Sequence, residues 1–317
     1  MVAFTDSVKF ARELLPDCDV WVACRMANVG PIARHWLARL QPNGRWWRCE
    51  TSPPGFDCLI LVERASGSQF DVLRDAGSDI AVPCSLCCLA GSGTSFHGHR
   101  MRAWTAVPGN LHLSALWYPR CAVAHPGATF MALPAVATAR AIEAASKPTG
   151  TTMIKWVNDV IVDGAKVAGV IAHTEAESDQ LARVVVGVGI NVETQPQVER
   201  SPFVPRIGSL RETDPKVTQQ QVLACWMREM ADAYATVLTH GPSALLQGYR
   251  ERSLVLGRQV SIHPETAGAV VAGRVVAIGN DLELFLDGRS DPITRGRLVL
   301  DSPEGFHDEK TIIEQKP

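Results

Sequence analysis

Residues 154–175 read IKWVNDVIVDGAKVAGVIAHTE, and the turn in their middle decides the expected fold. Val160–Val162 precede Asp163-Gly164, and Ala165–Ala172 follow. Asp-Gly between two valine-rich runs is a strong hairpin signal, because a two-residue primed turn needs φ > 0 at both central positions. A further run, Val184–Val192 (VVVGVGINV), predicts a third strand. Small and charged residues interrupt the pattern. Asp159 stands at a strand junction, Lys166 follows the turn, and Gly169, Gly187 and Gly189 lie inside strands. A strand glycine weakens the strand and often marks a close approach of a ligand or another backbone. Each residue also has an ordinary reading: turn chemistry at Asn158-Asp159, an exposed edge lysine, bulges at the glycines.

Their joint order says more. Lys155-Trp156-x-Asn158-Asp159, then Lys166-x-Ala168-Gly169, then Gly187-x-Gly189-Ile190-Asn191 resembles the signature of biotin protein ligases. Upstream, Gly91–Ser114 is similar to the family's Gly-Arg-Gly-Arg-x-Gly-Arg-x-Trp loop and the Gly-Asn-Leu-x-x-Ser strand after it. Trp104 and Gly109-Asn110-Leu111-x-x-Ser114 fit, as do Gly98 and Arg102 on a gapless reading. His97 and His99 stand where the family has arginine, Phe96 and Met101 replace glycines, and Val157 replaces a proline. Arginine suits phosphate better than imidazole does, because its guanidinium is always charged and bonds in a fork. Arg100 takes that place if the loop slides by one residue. Ser66-Gly67-Ser68-Gln69 occupies the position of a Ser-Thr-Asn-like segment that touches biotin's ureido ring.

The resemblance spans about residues 57–300. It implies an α+β fold: a mixed β-sheet backed by helices, with the ligand laid across it under a loop, and a small SH3-like C-terminal β-barrel. It also implies a two-step ligase that forms biotinyl-5′-AMP from biotin and ATP with Mg2+. The biotinyl group then passes to a lysine of a biotin carboxyl carrier domain of acetyl-CoA carboxylase or a related carboxylase. Lys166, Asp159 and Arg100 are the catalytic candidates. Lys166 offsets charge where two anions meet, and Asp159 receives or orients the acceptor lysine. Biotin and adenylate contacts are expected from Ser68, Gln69, His97, Gly98, His99, Arg100, Arg102, Trp104, Asn158, Lys166, Gly169, Gly187 and Asn191. No protein metal site is expected. A lipoate or octanoate ligase shares the adenylation chemistry, and a biotin-sensing DNA-binding repressor with weak or no ligase activity is a third reading.

Composition excludes little. The 317 residues exceed what one core usually organises, so two or three domains are expected. A net charge of −2 gives no global attraction to nucleic acid or anionic membrane. No apolar run is long enough to span a bilayer, and the N-terminus lacks a signal peptide's apolar core, so a cytoplasmic protein is the expectation, with monomer and homodimer both left open. Nine cysteines are scattered without a second metal-like pair beside Cys84-x-x-Cys87, and reduced, buried thiols are the better reading.

Residues 1–55 carry Arg25, Arg34, Arg39, Arg45 and Arg48 and predict helices at Val8–Leu15 and Pro31–Leu40 with a hairpin near Asn43-Gly44. That order resembles a winged helix-turn-helix, which would allow DNA binding; a helical extension packed on the next domain is the alternative. Pro53-Pro54-Gly55 suggests a boundary, giving 1–55 as an extension, 56–250 as the catalytic domain, 251–301 as the barrel and 302–317 as a flexible tail. Leu59–Glu63 predicts a strand and Gln69–Asp75 a helix capped by Ser66 or Ser68. Phe130–Ala145 predicts a helix, with Pro134 tolerable only near its start. Thr218 and Gln221 form a capping box before a helix buried through Val222, Trp226, Met230 and Val237. Gln259–His263, Val270–Ile278, Leu282–Leu286 and Ile293–Leu300 predict the barrel strands.

Overall fold

The computed structural model describes residues 2–51, 54–76, 84–146, 152–199, 201–204 and 206–300. In chain order the elements begin β1 (Val2–Thr5), α1 (Val8–Leu14), β2 (Val22–Cys24), α2 (Pro31–Leu40), β3 (Trp46–Glu50), β4 (Cys58–Ala65) and α3 (Gln69–Asp75). β5 (Leu86–Gly93), β6 (Leu111–Trp117), α4 (Pro126–Ser146), β7 (Met153–Lys155), β8 (Asp159–Val162), β9 (Ala165–Glu177) and β10 (Gln180–Ile190) follow. The chain continues through α5 (Gln219–His240), α6 (Ser243–Glu251), β11 (Gln259–His263), β12 (Val271–Ile278), β13 (Leu284–Leu286) and β14 (Arg297–Leu300).

The described residues group into two compact units: one runs to Leu254 and includes Asn280–Leu282, the other comprises Val255–Gly279 and Glu283 onward. The first is built on a ten-stranded sheet in the order β2-β3-β1-β4-β5-β6-β10-β9-β8-β7. It is mixed: β1 pairs parallel with β4, and β4 with β5, while β6, β10, β9, β8 and β7 run antiparallel to their neighbours. The β8–β9 hairpin, next to the edge strand β7, forms as the turn chemistry requires, with Asp163 at φ 45° and Gly164 at φ 75° at the turn. Both faces of the sheet are covered. Ile60, Val62, Ile171 and Val185 share a core cluster with Trp36 and Leu37 of α2 and Phe70 and Leu73 of α3. Val184, Val186 and Val188 alternate with these and are equally buried, and α4 packs on β8, β9 and β10.

Several expectations change on folding. Where the sequence sets residues 1–55 apart, β1, β3 and β2 hydrogen-bond into the main sheet, and β3 pairs with β1 and β2 instead of forming a hairpin across Asn43-Gly44. An edge of apolar alternation is satisfied by any strand that covers it, so the partner is chosen by tertiary packing. Pro53 itself lies outside the described residues, as do 301–317, where a tail is expected. Helix α4 starts four residues before the expected Phe130, which places Pro134 inside it. Pro134 is buried there among small residues, and packing supports a helix that propensity alone disfavours. Ser68 is the residue before α3, but its hydroxyl makes no capping bond. The capping box of Thr218 and Gln221 is present, and Val222, Trp226, Met230 and Val237 are buried.

The second unit is a four-stranded antiparallel sheet, β13-β12-β11-β14, with Val260, Ile262, Val275, Leu284, Leu286 and Leu298 buried. The strands at 282–286 and 293–300 are shorter than expected, and Ile293 survives only as an isolated bridge to Leu284. No helix among the described residues is long and apolar enough to cross a membrane.

Candidate active site

A row of paired residues crosses four strands: His112 on β6 faces Gly189 on β10, Gly189 faces Gly169 on β9, and Gly169 faces Asp159 on β8. Paired residues put their side chains on one face of a sheet, so two glycines make a trough between a histidine and a carboxylate. The Trp104 indole lies in it. A Cβ on Gly189 would come within 2.2 Å of the Trp104 Cζ2 atom, so no other residue fits beneath that ring. Trp104 Nε1 donates to His112 Nδ1 at 3.2 Å, and His112 Nε2 donates to the Val107 carbonyl, also at 3.2 Å. This pairing requires the neutral Nε2–H tautomer, and burial pushes the His112 pKa down to about 4.

Lys166 reaches the same face through a bulge. Val160 and Ile161 are consecutive on β8, but their partners Ala168 and Lys166 are two apart on β9. The extra residue, Val167, reverses the alternation and turns Lys166 toward Gly169 and Asp159. Its ammonium lies 2.7 Å from Asp159 Oδ1 and 5.7 Å from the Trp104 ring centroid. Both members of the pair are mostly shielded, with side-chain exposures of 19% and 15%. Behind Asp159, the Tyr249 hydroxyl donates to the Val157 carbonyl at 3.0 Å, and burial together with the Asp159 charge keeps that phenol protonated.

The loop from Phe96 to Trp104 closes back on itself: Gly98 N donates to Arg102 O at 2.7 Å and Trp104 N to Phe96 O at 3.0 Å. The two histidines of this loop differ. His97 Nε2 contacts both carboxylate oxygens of Asp71 at 2.9 and 2.8 Å, so this ring is turned to α3. His99 lies close enough to Asp159 to feel its charge, but burial, then Arg100 and Arg102, push its pKa down to about 4. At neutral pH it is therefore uncharged. Arg100 and Arg102 are exposed, and Arg102 Nε donates to the His99 carbonyl at 2.9 Å.

Other sequence candidates have different surroundings. Asn158 turns into the sheet, where Nδ2 donates to Val170 O at 2.8 Å and its own carbonyl accepts from Val170 N. Gly187 admits packing side chains: a Cβ there would meet Ile171 Cγ1 at 2.8 Å and Phe70 Cδ2 at 3.1 Å, so it lets α3 approach the sheet. Asn191 Nδ2 donates to Gly208 O at 3.0 Å, while its buried Oδ1 has no partner among the described residues. Gln69 is 1% exposed, and among the described residues neither end of its amide has a partner. A buried amide left without bonds costs stability and calls for an explanation such as a ligand. Ser68 beside it is buried with its hydroxyl unused for capping.

Asp71, His112 and Tyr249 were not singled out from sequence. A histidine within the largely apolar run of β6 is a signal for His112; nothing local marks Asp71, whose partner lies 26 residues away. Among the described residues no group of three or more His, Cys, Asp or Glu side chains is placed to hold a metal ion.

Residues 87–191, which contain the whole trough, match the model of the biotin/lipoate A/B protein ligase family. The chain carries a biotin/lipoate ligase family domain. A Bacillus subtilis relative named bifunctional ligase/repressor BirA is 28% identical over 65% of this chain and 62% of its own length. The chain thus spans under two thirds of that relative. A Paracoccus denitrificans biotin–[acetyl-CoA-carboxylase] ligase is 28% identical over 70% of this chain and 90% of its own length. Among solved structures, the biotin protein ligase of Aquifex aeolicus in complex with biotin and ATP superposes with a TM-score of 0.59 at 20% identity. It covers 78% of this chain and all of that one. The biotin protein ligase of Leishmania major with biotin gives 0.53 at 17% identity. These likenesses establish the ligase-family fold around the trough.

Proposed function

We propose that the protein is an ATP-dependent biotin protein ligase. The observation that carries the reading is the Lys166–Asp159 pair, set on the Gly169–Gly189 floor beside Trp104 within the family-matched segment. A biotin carboxylate oxygen attacks the α-phosphorus of ATP, and pyrophosphate leaves. The ε-amine of a carrier lysine then attacks the biotinyl carbonyl, and AMP leaves. Lys166 places a cation where the carboxylate and phosphate converge, in a shielded site where such a charge counts for more than in water. Asp159 then orients the incoming amine and accepts its proton. Arg100 and Arg102 supply permanent charge from the loop; His97 and His99 shape it. Gln69 and Ser68 meet the polar end of biotin, which explains an amide left without partners among the described residues.

Magnesium would enter with the nucleotide and would supply positive charge that offsets its phosphates. The carrier is a biotin carboxyl carrier domain of acetyl-CoA carboxylase or a related enzyme, in keeping with the Paracoccus relative's name. The four C-terminal strands close as the SH3-like barrel of this reading. DNA binding forms no part of the proposal: the strands of residues 2–50 are committed to the main sheet. The test is incubation with MgATP, labelled biotin and a carrier domain, with lipoate and octanoate as competitors. Labelling by lipoate or octanoate as fast as by biotin would overturn the assignment.

A further inference from the structure

The loop over the trough is fastened at two places, and only one belongs to the family-like motif. Trp104 clamps its end on Gly189. The other fastening is the contact of His97 Nε2 with both Asp71 oxygens; the His97 side chain is only 10% exposed, and its ring packs edge-on against Phe70 at 6.2 Å. Between the two points the loop bonds to itself, through Gly98 N to the Arg102 carbonyl and Arg102 Nε to the His99 carbonyl. Arg100 and Met101 sit at φ 58° and 59°, an unfavourable region for residues with a Cβ. Met101 is 69% exposed, and Arg100 and Arg102 also face solvent, so apolar burial there is slight.

The other end of the pin is rigid. Buried Arg183 on β10 donates to the Leu73 and Arg74 carbonyls at 3.2 and 2.6 Å and pairs with Glu175, which ties the end of α3 to the sheet. Arg74 Nη1 also meets Asp71 at 2.9 Å and keeps the carboxylate oriented. We propose that Asp71 is a positioning residue that pins the 96–104 loop to α3 through His97, and that this pin sets how long an acyl-adenylate stays bound. The second half rests on the ligase reading above. Asp71 touches no reacting atom on this view; it acts through the loop.

The experiment uses the full chain with Asp71→Ala, His97→Ala, the double variant and His97→Arg. Hydrogen exchange at the Gly98 and Trp104 amides, which hold the loop closed, reads the pin without any ligand. Each alanine variant should speed that exchange by about tenfold, the loss of one shielded charge-assisted contact. The double variant should do no more than either single, because both remove the same interaction. His97→Arg keeps a donor for Asp71 and should restore protection. Release of biotinyl-adenylate, where the protein forms it, should quicken in the same order with little change in carrier KM. Wild-type exchange in both alanine variants, or additive effects in the double variant, would overturn the pin. If the unaltered protein forms no adenylate, the ligase reading and the retention role fall together, and the exchange rates still decide the pin.

Discussion

Gly189 and Trp104 occupy one volume: the space that a Cβ at Gly189 would need is filled by the indole, at 2.2 Å from Cζ2 and 2.3 Å from Cε2. The same side of the ring is held at Nε1 by His112, so it cannot step aside without disturbing the Nε1–Nδ1 bond. Gly189→Ala is therefore expected to unseat Trp104, destabilise the protein by about 1–3 kcal/mol as overpacking does, and weaken adenylate binding. Gly169→Ala should be much milder, since its Cβ would make ordinary contacts of 3.4–3.5 Å with Lys166 and Trp104. Thermal melts and adenylate dissociation rates of the two variants check the contrast.

Lys166 and Asp159 form a pair at 2.7 Å but are assigned to different steps. Lys166→Ala should depress biotin-dependent pyrophosphate exchange into ATP by roughly a hundredfold or more, the scale on which a positioned charge-stabilising group acts. Asp159→Asn keeps a hydrogen-bonding group beside Lys166 and should slow transfer to the carrier more than exchange. A parallel fall in both steps for Asp159→Asn would contradict its role toward the acceptor amine.

Gln69 should behave as a residue kept for a ligand. Gln69→Leu removes two buried polar atoms that have no partner among the described residues. Stability should hold or rise, because an unsatisfied amide is costly and an apolar side chain of similar size is not. The biotin KM should rise about tenfold or more, with pyrophosphate exchange at saturating biotin less affected. A lowered melting temperature with unchanged KM would make Gln69 an ordinary core residue.

His112 makes stability depend on pH. Its folded-state pKa is about 4 against an unfolded value of 6.5, so between those limits only the unfolded chain takes up the proton. Stability is thus complete above about pH 6.5 and falls toward pH 4, by on the order of 3 kcal/mol from this group at 1.36 kcal/mol per unit. Urea midpoints measured from pH 7.5 to 4.5 should decline more steeply for the wild type than for His112→Gln.

His99 revises an expectation drawn from its sequence position. Where the resembled motif has arginine, a histidine of ordinary pKa is expected to gain charge as pH falls below 7 and to tighten the loop. Burial and its arginine neighbours instead hold its pKa at about 4. His99→Arg should therefore slow adenylate release by a factor that stays constant from pH 8 to about 5.5, because histidine remains neutral throughout that window. A gap that closes near pH 6 would mean that the loop is more open in solution.

What the sequence by itself determined is local. The Asp163-Gly164 turn follows from a φ requirement that these two residues meet without help. Helix α2 and the capping box of α5 likewise depend on neighbours within a few positions. The motif order was enough to bring Lys166, Asp159, Gly169 and Trp104 under one reading. Only the tertiary structure decided how they meet. Strict alternation along β9 would put Lys166 and Gly169 on opposite faces, and the bulge at Val167 exists only because β8 pairs there with a one-residue slip. The row from His112 to Asp159 needs three strand pairings at once, and the Asp71–His97 contact joins a helix to a loop 26 residues away. The insertion of β1 between β3 and β4 is of the same kind. Turn and capping preferences act through bonds a few residues long, whereas register and long-range pairing are set by which faces the assembled core can bury.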